Sequence, residues 1–575
     1  MKLKVFSILF ILSLNSLFSQ EKISGVILSD STDLPLENVT IFNSDTNEIS
    51  YSDLNGNFSM TIKNIDSEIN FFLEGFNLLT KLYSPVTGDL KNIEIRLIPK
   101  IEELNEVVVR ANLKKIFQIK RMEDVEGTRI FAGKKNEVIL IDVSMANLAS
   151  NNARQIYNQI PGLNIYQNDD AGLQLNIGGR GLNPNRTANF NTRQNNYDIS
   201  ADALGYPESY YTPPPEGLEE IQILRGAASL QYGTQFGGLI NFKIKEPKPE
   251  DKFELITRNT AGSNNLFTNF TSLSSSSKKS SYYGYVNYKK GDGFRPNSEF
   301  ESINTFQNFN YNLNEKSKIT GEITYMEYLA HQAGGLSDFM FANDPFQSNR
   351  ERNWFEIKWF LYNLKYILEI SEDSSFSFSF FGLDAKRNSL GFRTNRVDQI
   401  DYGDERDLIK GNFKNFGFES RYLTNYSFFN RKSYLLLGVK YYNSYSQSIQ
   451  GPGSNSKDAD FNFDYVSFPN YVNQSEYSYP NNNLAIFGEN IFYLNDKLSI
   501  TPGFRFENIN TSLDGYYRKI NLDAAGNTIY NERFDEQDTK KRKFLLLGLG
   551  LSYRNQDLEI YTNFSQNFRS VTFAD

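Results

Sequence analysis

Residues 498–507 read LSITPGFRFE. Leu498, Ile500, Pro502, Phe504 and Phe506 fall on one side of an extended chain, and Ser499, Thr501, Gly503, Arg505 and Glu507 fall on the other, because successive strand side chains point to opposite faces. A helix would repeat its apolar residues every three or four positions instead. The rhythm recurs in Leu545, Leu547, Leu549, Leu551 and Tyr553 against Leu546, Gly548, Gly550 and Ser552, and in Phe376, Phe378 and Phe380 against Ser375, Ser377 and Ser379. Strands of a soluble sandwich usually run about five or six residues. These run nearer ten, carry Tyr or Phe near their ends, and are joined by unequal loops, which are the marks of a transmembrane antiparallel β-barrel. Such a sheet must close, since an open edge in lipid leaves backbone donors unsatisfied. From Phe253 to Phe568 the alternation gives roughly 13 candidate strands. Bacterial single-chain barrels have even counts, and the chain stops at SVTFAD, so the expectation is a C-terminally incomplete copy of a longer protein.

Composition narrows the chemistry. The chain has 575 residues with 47 Phe and 35 Tyr but one His and no Cys, so thiolate sites, disulfides and imidazole-based catalysis are not expected. A net charge of -8 argues against nucleic acid as a partner. Residues 1–20, MKLKVFSILFILSLNSLFSQ, read as a secretory signal peptide: Lys2 and Lys4, an apolar run from Val5, then small and polar residues near Ser19. After it, no run is long and apolar enough for a membrane-spanning helix.

Residues 21–99 alternate in short pieces (VILSD, NVTIF, FSMTI, INFFLEGF, IEIRLIP) broken by turn signals such as Asn55-Gly56, and predict a small β-sandwich. Residues 100–124 form a linker containing Glu106, Val107, Val108 and Val109. That segment either joins the edge of another protein's sheet or docks as a linker strand on its own domain. Residues 125–247 have a mixed α/β texture. Ala153–Ile160 predicts a helix closed by Pro161-Gly162. The glycine pairs Gly178-Gly179 and Gly237-Gly238 imply tight turns or close backbone approach. No phosphate loop, nucleophile elbow or HExxH is present, and the chain is not expected to be an enzyme. The acidic stretch KDADFNFD with Asp458, Asp460 and Asp464 lacks the central glycine and terminal glutamate of a calcium loop and reads as a solvated cluster.

Several stretches carry a resemblance. SDLNGNFSM (Ser52 to Met60) resembles the turn of the carboxypeptidase-regulatory-like domain. GGRGLNPNR (Gly178 to Arg186), SYYTPPPEGLEEIQILRGAASLQYG (Ser209 to Gly233), FGGLINF (Phe236 to Phe242), QAGGLSD (Gln332 to Asp338) and DPFQSNR (Asp344 to Arg350) resemble the TonB-dependent outer-membrane transporters, and among them the ferric-dicitrate receptor group. The resemblance implies a mainly β fold in which residues 248–575 belong to a barrel of about 22 strands in the family, with a plug domain at 125–247 inside its lumen. It implies a TonB box at Glu106 to Val109, a TonB-type energy-transducing partner with its inner-membrane motor, and a periplasmic N-terminal domain. It further implies a bacterial outer-membrane location in contact with lipid, and active import of a ferric chelate. No resident cofactor is implied, because iron enters with the chelate. Gly179, Arg180, Gly181, Glu219, Arg225 and Gly226 belong to the plug's structural latch in this reading. Arg225 and Arg180 are expected to pair with acidic residues, among them Glu219, Glu220 or inward barrel carboxylates such as Glu507, or else to form purely structural bridges.

Recognition of a polyanionic chelate calls for fixed cations of planar, bidentate geometry, which favours Arg. The candidates are Arg186 and Arg193 on the plug, with Arg387 and Arg406 on barrel loops, the last two resembling ligand-binding arginines of the dicitrate receptors by approximate position. Tyr210, Tyr211, Gln332 and His331 are candidates to line the same pocket. Two departures put citrate itself in question: Asn195-Asn196 replaces an acidic residue followed by glycine, and Gln222 replaces a glutamate. The alternatives are a glycan importer of the same architecture and a non-transporting adhesion or structural barrel.

Overall fold

Hydrogen-bonded strands dominate the computed structural model, which describes residues 21–569 apart from 63–66, 85–89, 100–118, 143–145, 151–152, 158–159, 168, 180, 226–228, 234, 248–251 and 556–557. Residues 1–20, read above as a signal peptide, the segment Glu106 to Val109, Arg180 and Gly226 lie outside the described residues. The chain divides into two compact units, residues 1–112 and 113–575.

The first unit is the expected sandwich. One sheet orders Asn57–Ile62, Glu21–Ser29 and Ile93–Leu97, and the other orders Ile49–Tyr51, Thr40–Asn43, Ser67–Phe72 and Leu79–Tyr83. Alternate residues from both, among them Ile23, Ile41, Phe58, Phe71 and Ile95, form one core. The Asn55-Gly56 turn precedes Asn57–Ile62. Asp53 accepts the backbone N–H of Asn55 at 2.9 Å and of Asn57 at 2.8 Å, and Gly56 takes φ +73 where a side chain would strike the Ile27 carbonyl.

In the second unit an inner domain is built on a six-stranded mixed sheet in the order Tyr197–Asp198, Phe190–Gln194, Gly238–Ile244, Leu218–Arg225, Lys135–Leu140, Ile119–Lys120. Phe190–Gln194 runs parallel to Gly238–Ile244 and the remaining pairs are antiparallel. Its central strands are buried on both faces. One face is apolar, with Ile221, Ile223, Ile240 and Phe242 in the main core. The other carries the cross-strand row Gln222, Asn241 and Arg193. The glycine pair before Leu239 has a clear cause: Gly238 sits at φ +115, and a side chain there would overlap the Leu224 carbonyl. Of the helix expected over Ala153–Ile160, the described residues show Ala153–Tyr157; Ile160 N–H bonds the Tyr157 carbonyl at 3.1 Å in a turn, and Gly162 follows at φ +79.

The remainder is a 13-stranded antiparallel sheet in sequential order from Phe253–Ala261 to Glu559–Ser565. Its polarity is that of a membrane wall. Phe504 and Phe506 are each 37% exposed, while Arg505 and Glu507 between and beside them are 1% and 0%. Leu545, Leu547 and Leu549 are likewise exposed and Leu546 and Ser552 buried; Phe378 and Phe380 are exposed and Ser377 buried. A soluble fold has no reason to turn phenylalanines outward and ion pairs inward. Lipid outside and a polar interior require it.

Many strands are far longer than ten residues, up to Thr528–Arg554 with 27. The apolar rhythm ends at Leu545, yet the ladder to Leu498–Leu522 continues as a charged ribbon held by cross-strand contacts: Tyr517 stacks on Phe534 at 5.3 Å and Arg533 lies over Tyr516 at 3.8 Å. At one end of the sheet the turns are tight, as between Phe428 and Arg431. At the other lie the long connections 332–353, 392–405 and 454–473.

Candidate functional site

Buried ions set the inner domain against the sheet. Arg193 donates to Glu419 at 3.3 Å, and Arg421 donates to the same carboxylate at 2.6 Å. Lys134 pairs with Glu489, with both side chains almost fully buried. Lys440 pairs with Asp198 at 3.1 Å. Burial alone would raise the Asp198 carboxyl, but Lys440 and Arg193 overcome it and hold the group below the usual carboxylate range. Asp202 has neutral partners from the sheet: Asn481 at 2.7 Å, and Tyr442 and Ser446 at 3.3 Å. Each such pair gives modest net stability, but removing one partner strands a buried charge at about 3–5 kcal/mol.

The partners expected for Arg225 are corrected. It donates through Nε to Glu137 at 3.2 Å and through Nη1 to the Pro161 carbonyl at 2.7 Å. Glu219 pairs with Lys243 at 3.3 Å, Glu220 with Lys120 at 2.9 Å, and Glu507 with Arg505 at 2.5 Å. Leu218–Arg225 is a strand, so Glu219 lies about 20 Å from Arg225 along it, out of reach. Gly179 packs under Phe190, and Gly181 adopts φ +75.

At the end with the long connections, a cavity of about 340 Å³ opens between the inner domain and the sheet. Arg186 enters it from the inner domain, and Gln332, Arg350, Arg387 and Arg393 from the sheet and its loops. Arg186 and Thr187 hold φ +50 and +56, a left-handed pair that is costly for residues other than glycine. The Thr187 hydroxyl fixes the turn, donating to the Leu175 carbonyl at 2.8 Å, while Arg186 N–H donates to Asn176 at 2.8 Å. Arg387 lies on the inward side of Ser374–Gly391. It donates through Nε to the Tyr210 hydroxyl at 3.2 Å and through Nη2 to the Tyr206 hydroxyl at 3.1 Å. The guanidinium carbons of Arg186 and Arg387 stand 5.4 and 5.8 Å from the centre of the same Tyr210 ring. Tyr210 is itself fixed against Phe355 and Trp359.

The four cavity arginines differ in how their charge is met. Arg186 has Glu208 at 3.0 Å and Arg393 has Asp407 at 3.6 Å. Arg350 donates to the backbone carbonyls of Asn349, Val397 and Gln399, and Arg387 to tyrosine hydroxyls; among the described residues neither has a carboxylate within 4.0 Å. The cavity therefore carries positive charge in excess, presented on planar forks suited to carboxylate or similar oxygens.

The structure thus brings together Arg186, Gln332 and Arg387 on the cavity, with Tyr210 buried against the two arginines and not among the lining residues, and it sets Arg193 and Arg406 apart. Arg193 is fully buried against Glu419, Asn191 and Tyr232. Arg406, also fully buried, donates to the Ser454 carbonyl at 2.8 Å, the Asp458 carbonyl at 2.7 Å and the Ser456 hydroxyl at 3.0 Å, knitting the 454–458 loop. His331 stacks on Trp354 and bonds Glu299 at 2.8 Å, and Tyr211 donates to Gln194 at 2.7 Å; neither lines the cavity. Arg350 closes the quoted DPFQSNR stretch, but neither it nor Arg393 stood out as a ligand candidate. Asn195 and Asn196 take φ +45 and +73 in a tight turn that asparagine tolerates, and Asn195 donates to Glu322 at 2.7 Å. Gln222 donates to Glu220 at 2.9 Å and accepts from Asn241 at 2.8 Å. Gln222 therefore serves the inner domain's own packing, whereas Asn195 ties the inner domain to the wall strand Ser317–His331. Among the described residues no cluster of His, Cys, Asp and Glu could hold a metal ion.

Residues 23–109 match the family described as CarboxypepD_reg-like domain, and residues 142–239 match the TonB-dependent Receptor Plug Domain. No curated protein matches the sequence. Similar solved structures include the ferric citrate transporter FecA in its unliganded form (18% identity, TM-score 0.63, 77% of this chain and 64% of that one). They also include the ferric-catecholate import receptor Fiu from K12 E. coli (12%, TM-score 0.58, 76% and 66%) and the ferric yersiniabactin uptake receptor FyuA from Yersinia pestis (15%, TM-score 0.57, 76% and 65%). The chain spans about two thirds of the length of these structures. The likeness is one of fold.

Proposed function

We propose, from a chain that carries a TonB-dependent receptor plug domain and has the fold of outer-membrane transporters, that this protein imports an anionic metal chelate across the outer membrane. The carrying observation is the convergence of Arg186 from the plug and Arg387 from the wall on the ring of Tyr210, in a cavity of about 340 Å³ at the end with the long connections. Long connections are the extracellular feature of such barrels, and short turns the periplasmic one. A ligand held there touches plug and wall at once, so binding bears directly on how the plug is seated. Its class is a chelate with several carboxylate or comparable anionic oxygens, ferric citrate among them.

In this account the plug closes the lumen through the ion pairs Arg193–Glu419, Lys134–Glu489 and Lys440–Asp198. The TonB-type partner adds a strand to Glu106–Val109 and pulls. Buried pairs resist separation while intact yet re-form without covalent chemistry, which suits a closure that must open and reset. Binding of ferric citrate to the detergent-purified protein at low salt tests the site. Arg387→Ala should weaken it about tenfold or more, the worth of a charge-assisted hydrogen bond. Unchanged affinity would remove the assignment.

A further inference from the structure

We infer that Glu208 is the specificity-determining residue of this cavity, an internal carboxylate that occupies the anion position at Arg186 until a ligand with at least two negative groups displaces it. The inference rests on the reading of the cavity as an anion site. Glu208 Oε2 accepts from Arg186 Nη1 at 3.0 Å and from the Tyr210 hydroxyl at 2.8 Å, with its side chain only 15% exposed. Since Tyr210 gives its proton to Glu208, the Tyr206 hydroxyl donates to Tyr210 at 2.8 Å, and both phenol oxygens accept from Arg387. One carboxylate thus serves two guanidinium groups: Arg186 directly, and Arg387 only through neutral hydroxyls.

The consequence is selection by charge. A monoanion arriving at Arg186 exchanges one carboxylate for another and meets the repulsion of Glu208, so it gains little. A polyanion that also reaches Arg387 acquires a guanidinium that Glu208 never contacts, and so can displace it. Displacement also reaches the plug. The Glu208 carbonyl accepts from Ala201 N–H at 2.9 Å, and the adjoining segment is gripped by the wall through Asn481 to Asp202 at 2.7 Å and Phe413 stacked on Tyr206 at 5.1 Å.

The test is titration of the detergent-purified full chain with ferric citrate, wild type against Glu208→Gln, which keeps size and an acceptor but removes the charge. The variant should bind about tenfold more tightly at low salt, the effect of deleting one like charge a few ångströms away, and the gain should shrink as salt is raised. A residue that merely held the site together would weaken binding when changed, so unaltered or weaker binding by the variant overturns the inference. A second measurement needs only the wild type. Tricarballylate should compete with ferric citrate at concentrations where acetate, matched for total carboxylate, does not; equal competition overturns the inference. If wild type binds ferric citrate no better than the Arg186→Ala, Arg387→Ala double variant, the anion-site reading itself fails and the inference falls with it.

Discussion

Neutralising Glu419, on the wall strand Arg406–Phe428, should loosen the plug while leaving the rest of the wall folded. Its carboxylate takes Arg421 Nε at 2.6 Å and Arg193 Nη1 at 3.3 Å. Both guanidinium groups also stand over the ring of Tyr232, at 5.1 and 5.0 Å. In Glu419→Gln two cations stand by one aromatic ring with no carboxylate between them. Removing one partner of a buried pair costs about 3–5 kcal/mol, and because glutamine still accepts a hydrogen bond the lower end applies, about 3 kcal/mol. Arg421 keeps Gln231 at 2.9 Å, and Arg193 keeps Asn191 and the Asn196 carbonyl, each at 2.7 Å, so the penalty is the uncompensated charge, and on the plug it is read at the seating of Arg193 and its strand Phe190–Gln194. At about 1.4 kcal/mol per power of ten, amide hydrogen exchange across 190–194 should speed up roughly a hundredfold, since exchange reports local opening. Exchange in Trp354–Ser371 of the wall should stay as in wild type. If 190–194 exchanges at the wild-type rate in the variant, the pair does not hold the plug and the reasoning fails.

Phe504→Arg places a cation on the lipid face and should cost about 2–4 kcal/mol if at mid-membrane, read as a lower folded fraction in lipid vesicles; no loss would contradict an outward Phe504. Arg406→Ala should make the 454–458 loop sensitive to protease while leaving ferric citrate affinity within about threefold, since less than a charge-assisted bond is lost; a larger loss would place Arg406 in the site. Burial pushes the Asp169 carboxyl up to about 6 from 3.8. The unfolded chain then releases this proton near 3.8 and the folded one near 6, so the contribution present below 3.8 is lost as pH rises to about 6. Plug exchange, corrected for intrinsic rate, should accordingly be slower at pH 5 than at pH 7, and Asp169→Asn should flatten the difference.

The wall was legible because a period of two is a local property: Phe504, Arg505, Phe506 and Glu507 declare their faces from four consecutive letters. Where the rhythm stops, legibility stops, and the ribbon beyond Leu545 was missed because its ladder is held by cross-strand pairs in water rather than by apolar burial. The lock between plug and wall was illegible for a different reason. Glu419 lies 226 positions from Arg193, and Glu489 lies 355 from Lys134. Nearness in sequence offered Glu219 and Glu220 to Arg225 in place of Glu137, which reaches it across the neighbouring strand. The demand for arginine at the proposed anion site pointed to Arg186 and Arg387, which line one cavity. It could not separate them from Arg193 and Arg406, because an arginine that faces a cavity and one that knits a loop are the same letter until the backbone carbonyls around it are placed.

The most direct measurement is uptake of radiolabelled iron, supplied as ferric citrate, by cells carrying the gene intact or lacking the codons for residues 106–109, with and without a protonophore. The account expects accumulation only with the intact gene and an energised membrane, while surface binding persists in the deletion. Equal accumulation with the segment removed, or in de-energised cells, would contradict it.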